Sequence, residues 1–135
     1  MISDDEIDRL LAAAKEAAAR AYCPYSKFRV GAAVLTESGA IVAGCNVENA
    51  SYGLTICAER NAVFRLVGSG ERPEIRAVLI YTPTTTPTAP CGACRQVLNE
   101  FGPSCEVVCR CDGPDEIRTT LDKLLPSAFG PRNLS

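Results

Sequence analysis

The sequence contains no histidine, and this absence removes several classes of enzyme at once. A Ser-His-Asp triad, a Cys-His dyad, an H-E-x-x-H zinc protease and a histidine general base all require that residue. Any metal site in this chain must therefore be built from cysteine, carboxylate and water.

Long apolar runs and clusters of basic residues are also missing. No apolar stretch approaches the roughly 20 residues that a membrane span needs. The 14 Lys and Arg residues are scattered and the net charge is −2, whereas polynucleotide binding usually depends on clustered cations. The dinucleotide and P-loop fingerprints, G-x-G-x-x-G and G-x-x-x-x-G-K-[ST], do not occur. We therefore expect a small, nearly neutral ligand, and neither a nucleic acid nor a membrane as partner.

Cysteine, in contrast, is abundant, with eight in 135 residues. The N-terminal segment MISDDEIDRL is acidic and lacks the layout of a secretory signal, which predicts a cytoplasmic protein. In a reducing compartment, metal binding or buried thiols explain the cysteines better than disulfide bonds do. Cys105, Cys109 and Cys111 share one face of a predicted strand by their spacing, which suits core packing.

The length and the hydrophobic fraction of 47% predict one soluble globular domain over residues 1–135. A capping box of Ser3 and Glu6 opens a first predicted helix that runs to Tyr22. The further predicted elements are a hairpin over 28–48 that turns at Ser38-Gly39, a helix over 55–66, a strand over 74–82, a helix from Cys91, a strand over 105–111, and a last strand with a short helix around 121–125. This order favours a mixed sheet with helices on both faces.

Two short segments carry the chemistry, TICAERN at 55–61 and PCGACRQ at 90–96. Cys91 and Cys94 are three residues apart, so at the start of a helix they lie on one face and can share one ion. Cys57 brings a third thiolate from the other helix. Three protein ligands, with the fourth position left for water, are typical of catalytic zinc.

The charge of such a site must be offset, because three thiolates and Zn²⁺ sum to −1 and would make a bound water a poor acid. Both cysteine segments lie at predicted helix N-termini, whose dipole favours anions. Arg60 and Arg95 are close in sequence to the ligands and can donate to thiolate sulfur. Glu59 would close the site as a fourth ligand, so we expect it to carry protons beside the metal-bound water.

C-x-E at one helix start and P-C-x-x-C at the next, with a strand between them, form the signature of zinc deaminases. The segments FRVGAAV, NVENASYGLTICAERNAV and PCGACRQVLNEF together resemble the small zinc-dependent cytidine deaminases of the three-cysteine type. The resemblance runs from YCPYSKF to LLPSAFGP and covers nearly the whole chain. It implies an α/β fold in three α-β-α layers, with a mixed central sheet of about five strands and helices on both faces.

The resemblance also implies a reaction. Cys57, Cys91 and Cys94 would hold one zinc ion per subunit. Water activated by that ion would attack C4 of free cytidine or deoxycytidine, with Glu59 as the proton shuttle. The products would be uridine or deoxyuridine and ammonia, as in pyrimidine salvage.

A nucleoside pocket is implied by the segment NVENASYG. Asn46 and Glu48 would hydrogen-bond the ribose hydroxyl. Phe28 would stack or pack against the pyrimidine, and the backbone around Ala58 would contact the base edge.

Two more aromatic residues, Tyr52 and Phe129, resemble residues that this family supplies to the site of a neighbouring subunit. Their presence implies a homotetramer with sites at the subunit interfaces. The sequence leaves the preference between cytidine and deoxycytidine open.

Other functions also stay open at this point. A blasticidin-type aminonucleoside deaminase shares the zinc motifs, although the Asn46-x-Glu48 pair favours the ordinary nucleoside. A polynucleotide-editing deaminase would need an electrostatic path for phosphates, which the sequence does not offer. A non-catalytic zinc-binding module predicts a closed fourth coordination position and no need for Glu59. A thioredoxin-like redox protein would leave Cys57 and Glu59 unexplained.

Overall fold

A computed structural model describes all 135 residues of the chain. The helices are α1 (Asp4–Ala19), α2 (Ala58–Gly68), α3 (Gly92–Phe101) and α4 (Leu121–Leu124), and the strands are β1 (Gly31–Thr36), β2 (Ile41–Cys45), β3 (Ile75–Tyr81), β4 (Glu106–Arg110) and β5 (Ile117–Thr120). Short 3-10 turns lie at Tyr52–Leu54 and Pro131–Asn133. Every predicted element is present, with bounds that differ by a few residues. None of the helices combines the length and the apolar character that crossing a membrane demands.

The N-terminus of α1 has the capping box that the sequence predicts. The Ser3 hydroxyl accepts from the N–H of Glu6 at 3.1 Å, and the Glu6 carboxylate accepts from the N–H of Ser3 at 2.9 Å. Glu6 also pairs with Arg76 of β3 at 2.8 Å. The cap therefore both starts the helix and ties it to the sheet.

α1 ends at Ala19, although the predicted helix continues to Tyr22. The N–H of Tyr22 instead donates to the carbonyl of Asn46 at 3.0 Å, which pulls the chain away from the helix axis. The guanidinium of Arg29 donates to the carbonyls of Ala19 and Ala21 at 3.3 and 3.0 Å. A cation from outside the helix thus satisfies carbonyls at its C-terminal end.

The strands form one mixed sheet in the order β2-β1-β3-β4-β5. β1 and β2 make the predicted hairpin, and Gly39 in its turn has a φ of 94°, a conformation that favours glycine. β1 also pairs antiparallel with β3, β3 pairs parallel with β4, and β5 pairs antiparallel with β4. α3 supplies the crossover that the parallel pair requires.

The sheet separates two apolar clusters, one on each of its faces. α1 covers one face, where Leu10 packs in the same cluster as Leu79 of β3. α2 and α3 cover the other face, where Leu66 and Leu98 pack in the same cluster as Val78. The result is the expected α-β-α arrangement, with α2 and α3 side by side on one face.

Two glycines let helices approach the sheet closely. A Cβ added at Gly31 of β1 would lie 1.8 Å from the carbonyl oxygen of Ala14, and one at Gly44 of β2 would lie 2.4 Å from the amide nitrogen of Ala62. Ala62 belongs to α2, which begins directly after Cys57. The contact at Gly44 therefore determines how close α2 lies to the sheet, and Cys57, one candidate ligand, is at the start of this helix.

Cys105, Cys109 and Cys111, in and next to β4, test the prediction that was made from their spacing. Cys105 and Cys109 are buried in the cluster under α2 and α3, with Val107 between them, as predicted. Cys111 lies beyond the end of β4 and is half-buried, and its thiol donates to the carbonyls of Gly113 and Asp115. Because the strand ends at Arg110, alternation no longer decides the direction of the next side chains.

Candidate functional site

Three cysteine sulfurs converge where α2 and α3 begin. Cys57 is the N-cap of α2, Cys91 is the N-cap of α3, and Cys94 lies in the first turn of α3. Their Sγ atoms all lie within 4.8 Å of one another, and those of Cys57 and Cys91 are 3.7 Å apart. A tetrahedral zinc with Zn–S bonds of about 2.3 Å separates its sulfurs by roughly 3.8 Å. The cluster therefore fits zinc with little rearrangement.

The cluster is closed on one side and open on the other. Cys94 is buried, Cys57 is half-buried and Cys91 is exposed, and all three are free thiols. No fourth side chain of a ligand type joins the group. Three protein ligands with an accessible fourth position are typical of a catalytic zinc site, whereas a structural site takes all four ligands from the protein.

The thiols of Cys57 and Cys94 have pKa values that are shifted in opposite directions. Hydrogen bonding from Cys94, with further donation from Arg60 and Cys91, lowers the pKa of Cys57 to about 5. The same contact with Cys57, together with burial, raises the pKa of the Cys94 thiol. The Cys57 thiol therefore ionises before that of Cys94, and binding of a metal releases the proton that Cys94 holds.

Glu59 lies in the first turn of α2, with only 4% of the residue exposed. Burial is the main reason that the pKa of its carboxyl is raised to about 7, and the nearby Cys57 charge adds to the effect. A carboxyl with this pKa can accept and release a proton near neutral pH, as a general acid or base must.

The two arginines next to the cysteines have different partners. Arg60 donates from Nη2 to Cys57 Sγ at 3.4 Å, and this bond is the main reason that its pKa is raised. Arg95 donates instead to the carbonyl of Pro90 at 2.7 Å and to that of Leu124 at 3.0 Å. The structure therefore places Arg60 at a sulfur and Arg95 at main-chain oxygens, because the Arg95 side chain folds back over the start of its own helix.

A recess of about 360 Å³ is lined by Tyr25, Ser26, Glu48, Tyr52 and Thr55, the last of which is two residues before Cys57 in the sequence. The rings of Tyr25 and Tyr52 are 5.9 Å apart across it. Glu48 accepts from the N–H groups of Tyr25 and Ser26 at 3.0 and 3.1 Å and from the Ser26 hydroxyl. Two of the predicted residues, Glu48 and Tyr52, therefore line one concave surface. Ser26 lines it as well and is hydrogen-bonded to Glu48.

Asn46 holds the main chain that carries Phe28. Its Oδ1 accepts from the N–H of Val30 at 2.9 Å, and its Nδ2 donates to the carbonyl of Phe28 at 2.8 Å. A side-chain amide has two N–H donors, so one of them is left for another acceptor. Phe28 is 41% exposed and does not join the core. Ala58 is buried as the first residue of α2, between Cys57 and Glu59.

Phe129 lies apart from the recess within one chain. Its carbonyl accepts from Gln96 Nε2 at 2.8 Å and from Asn99 Nδ2 at 3.3 Å, which docks the C-terminal segment on α3. Phe129 is 59% exposed and Tyr52 is 74% exposed. A single chain therefore leaves both aromatic rings largely uncovered.

Sequence reasoning did not find Ser26, Tyr25 or Thr55 as residues of the recess. Ser26 and Glu48 are separated by 22 positions, and no spacing rule connects a loop residue to the end of a distant strand. The loop sequence YCPYSKF was the only signal, since it lies at the start of the segment that resembles the deaminases.

Comparison with known proteins decides the family. Residues 4–111 match the family described as cytidine and deoxycytidylate deaminase zinc-binding region, and this range includes Cys57, Glu59, Cys91 and Cys94. The chain belongs to this deaminase family. The predictions of the family and of zinc as its cofactor are thereby confirmed, and the cluster at the starts of α2 and α3 is the group of side chains suited to hold the ion.

Individual members of the deaminase family are similar over nearly the whole chain. The cytidine deaminase of Sporosarcina psychrophila is 46% identical over 131 residues, which is 96% of each chain. The cytidine deaminase of Mycobacterium tuberculosis strain H37Rv is 48% identical over 117 residues, which cover 87% of this chain and 84% of the relative.

Solved structures of family members share the fold. The crystal structure of cytidine deaminase from Burkholderia pseudomallei superposes with a TM-score of 0.86 at 48% identity, covering 95% of this chain and 100% of that one. That of cytidine deaminase from Mycobacterium tuberculosis gives a TM-score of 0.80 at 44% identity, covering 96% and 99%. The predicted α/β fold, with its mixed five-stranded sheet and helices on both faces, is confirmed.

Proposed function

We propose that this protein is a zinc-dependent cytidine deaminase, which hydrolyses free cytidine and deoxycytidine to uridine and deoxyuridine with release of ammonia. The observation that carries the proposal is the buried carboxyl of Glu59, two residues after one sulfur of a three-sulfur cluster with an open side. Family members named cytidine deaminase support it, at 46% and 48% identity over most of the chain.

Cys57, Cys91 and Cys94 hold the zinc ion in this proposal. When bound, zinc supplies a Lewis acid that lowers the pKa of a water at the fourth position toward neutrality. Arg60 offsets part of the thiolate charge through its bond to Cys57 Sγ, which keeps the site from becoming too electron-rich to acidify water.

Glu59 moves the protons of the reaction. It takes a proton from the attacking water and delivers it to N3 of the cytosine ring, which makes C4 electrophilic. A bond forms between the water oxygen and C4, and Glu59 then transfers the remaining proton of that oxygen to the exocyclic amine. The C4–N bond breaks and ammonia leaves. Water and cytidine thus give uridine and ammonia with no change of oxidation state.

The remaining residues orient the nucleoside. Glu48 accepts from a sugar hydroxyl, and Asn46 donates its second N–H to the sugar while its other contacts hold the Phe28 segment. Phe28 presents its partly exposed ring to the pyrimidine, and the main chain at Ala58 contacts the base edge. The carboxylate of Glu48 in the recess disfavours a phosphate, so the proposed substrates are free nucleosides rather than nucleotides or polynucleotides.

The proposed assembly is a homotetramer with its sites at subunit interfaces. Tyr52 and Phe129 support it, because two aromatic side chains this exposed gain free energy when a neighbouring chain covers them. We also propose a cytoplasmic location, which the eight free thiols favour, and a single functional domain over residues 1–135, which the shared sheet favours.

Ultraviolet absorbance tests the function directly. Zinc-loaded protein is mixed separately with cytidine, deoxycytidine and CMP, and each assay is repeated after removal of the metal by a chelator. We expect loss of the cytosine band with both nucleosides, none with CMP, and none without metal. Zinc-loaded protein that leaves both nucleosides unchanged would refute the proposal, and an aminonucleoside antibiotic of the blasticidin type would become the next substrate to assay.

A further inference from the structure

The hydroxyl of Ser26 bridges two residues that lie on different sides of the proposed nucleoside. It donates to Oε2 of Glu48 and accepts from the N–H of Phe28 at 3.0 Å. In the proposed function Glu48, which lines the recess, contacts the sugar, and Phe28, which lies next to the recess in sequence, contacts the base. One side-chain oxygen therefore connects both recognition elements.

Counting acceptor positions on the Glu48 carboxylate shows what Ser26 leaves free. Oε1 accepts two main-chain N–H groups, those of Tyr25 and Ser26, which use both of its lone pairs. Oε2 accepts the Ser26 hydroxyl and keeps one lone pair. A ligand hydroxyl can thus be accepted at one position of the carboxylate, and the Ser26 hydroxyl fixes the direction of that position.

The loop around Ser26 is held in a conformation that supports this bridge. The next residue, Lys27, has a φ of 62°, and its N–H donates to the carbonyl of Cys23 at 2.9 Å. The Phe28 N–H that returns to the Ser26 hydroxyl closes a turn in which a serine side chain replaces a main-chain acceptor. The hydroxyl is therefore preset rather than free to rotate.

The charge of Glu48 depends on the same contact. The bond from the Ser26 hydroxyl is the main cause that lowers the pKa of the Glu48 carboxyl, followed by the N–H groups of Ser26 and Tyr25 and by the charge of Lys27. The carboxylate is thus kept as a full acceptor while no lysine or arginine forms an ion pair with it. A cation in that place would compete with the sugar for the remaining lone pair.

We propose that Ser26 is a positioning residue for sugar recognition, which aims the free lone pair of Glu48 Oε2 at a nucleoside hydroxyl and couples that contact to Phe28. This inference rests on the proposed function, because it places a nucleoside in the recess. It predicts that removing the Ser26 hydroxyl weakens selection for the sugar hydroxyls beyond any effect on the base contact, which both nucleosides of a comparison share, and leaves the chemical step in place.

A competition assay tests the role. Cytidine and 2′,3′-dideoxycytidine, which lacks the two ring hydroxyls of the sugar, are mixed in one reaction, and the two uracil products are quantified by chromatography. The ratio of products gives the ratio of the kcat/KM values and does not depend on how much of the enzyme is folded. Three variants are compared. Ser26→Ala removes the hydroxyl. Ser26→Thr and Ser26→Val introduce side chains of nearly the same shape, of which only threonine has a hydroxyl.

We expect the preference for cytidine to fall about tenfold in Ser26→Ala and Ser26→Val and to stay near the wild-type value in Ser26→Thr, as loss of one hydrogen bond to a charged group implies. An unchanged preference, or equal loss of activity on both nucleosides, would assign Ser26 a purely structural role and overturn the inference. If Ser26→Ala does not fold, the Thr and Val variants decide alone. Wild-type protein that converts no cytidine would reject the proposed function instead, so the two failures are distinguishable.

Discussion

Arg60 donates from Nη2 to the Sγ atom of Cys57 over 3.4 Å, at the point where α2 begins. The thiolate at the helix N-terminus therefore meets a guanidinium as well as the helix dipole, and both stabilise its negative charge. Arg95 directly follows Cys94 in the sequence, yet its guanidinium bonds only to carbonyl oxygens. The two arginines form a matched pair for experiment.

Replacing Arg60 should lower the affinity of the site for zinc. We expect Arg60→Gln to weaken zinc binding about 10- to 100-fold, because a group that supports a ligand without touching the ion has effects of that size. Arg95→Gln should keep the zinc affinity and lower Tm, since it loses the bonds to Pro90 and Leu124. Competition with a chromophoric chelator measures the affinities. Equal weakening by both substitutions would contradict the distinction drawn from the geometry.

Cysteine substitutions should separate the metal ligands from the other thiols. Cys94→Ser removes one of the three clustered sulfurs and should abolish tight zinc binding. Cys111→Ser is the control, because that thiol is half-buried and bonds only to main-chain carbonyls. Elemental analysis after dialysis gives the zinc content of each protein. Retention of a full zinc complement by Cys94→Ser would place the ion elsewhere.

Glu59 should be needed for chemistry and not for metal binding. We expect Glu59→Gln to keep its zinc and to lose turnover by about 10²- to 10⁴-fold or more, because Gln cannot carry a proton between water and the ring. Glu100→Gln on α3 removes an exposed carboxylate and should leave the rate unchanged. Cytidine consumption and zinc content are measured on the same samples. Substantial activity in zinc-loaded Glu59→Gln would remove this residue from the proton pathway.

The Glu6 contacts predict a dependence of stability on pH. The Ser3 N–H, followed by Arg76, lowers the pKa of the Glu6 carboxyl from 4.5 to about 2. A carboxyl with a lowered pKa stabilises the fold above its ordinary pKa, and this contribution is lost as the pH falls from 4.5 through 2. Glu6→Gln should therefore lower Tm at neutral pH, with a difference from wild type that shrinks over that window.

Thermal denaturation at several pH values checks this prediction. Glu16→Gln is the control on the same helix, because Glu16 forms an exposed ion pair with Arg20, and such pairs contribute little. A Tm difference for Glu6→Gln that stays constant from neutral to acid pH would show that the charge of Glu6 does not stabilise the fold.

Assembly should matter for activity if Phe129 completes a neighbouring site. Light scattering is expected to give the mass of four 14.4 kDa chains. Phe129→Ala should lower kcat/KM for cytidine by about tenfold, a typical loss for an aromatic residue at an interface. Leu134→Ala, which removes another exposed side chain near the C-terminus, serves as the control. A monomeric mass with full activity would refute the shared-site arrangement.

Short sequence patterns predicted those parts of the structure that depend on residues close together in the sequence. The capping box of Ser3 and Glu6 formed as expected, and the spacing of Cys91 and Cys94 placed both sulfurs at the start of one helix. Cys57 joined them because α2 and α3 pack side by side on one face of the sheet. The order of elements predicted helices on both faces and did not specify which helices share a face.

Contacts between residues far apart in the sequence were not predictable in this way. Arg95 of α3 reaches the carbonyl of Leu124 in α4, 29 positions along the chain, and Ser26 reaches Glu48, 22 positions along. Both contacts depend on how distant segments meet in the finished fold, which no periodicity encodes. The amide of Asn46 is a similar case, because its bonds to the Phe28–Val30 main chain exist only once the segment lies beside the end of β2.

The central claim is that the zinc-loaded protein adds water to C4 of cytidine and releases the amine. Mass spectrometry of the product formed in water enriched in oxygen-18 tests it in one measurement. The account predicts uridine that carries one heavy oxygen in its base, together with an equal amount of ammonia. Cytidine recovered unchanged from protein that holds zinc at its three cysteines would contradict the account.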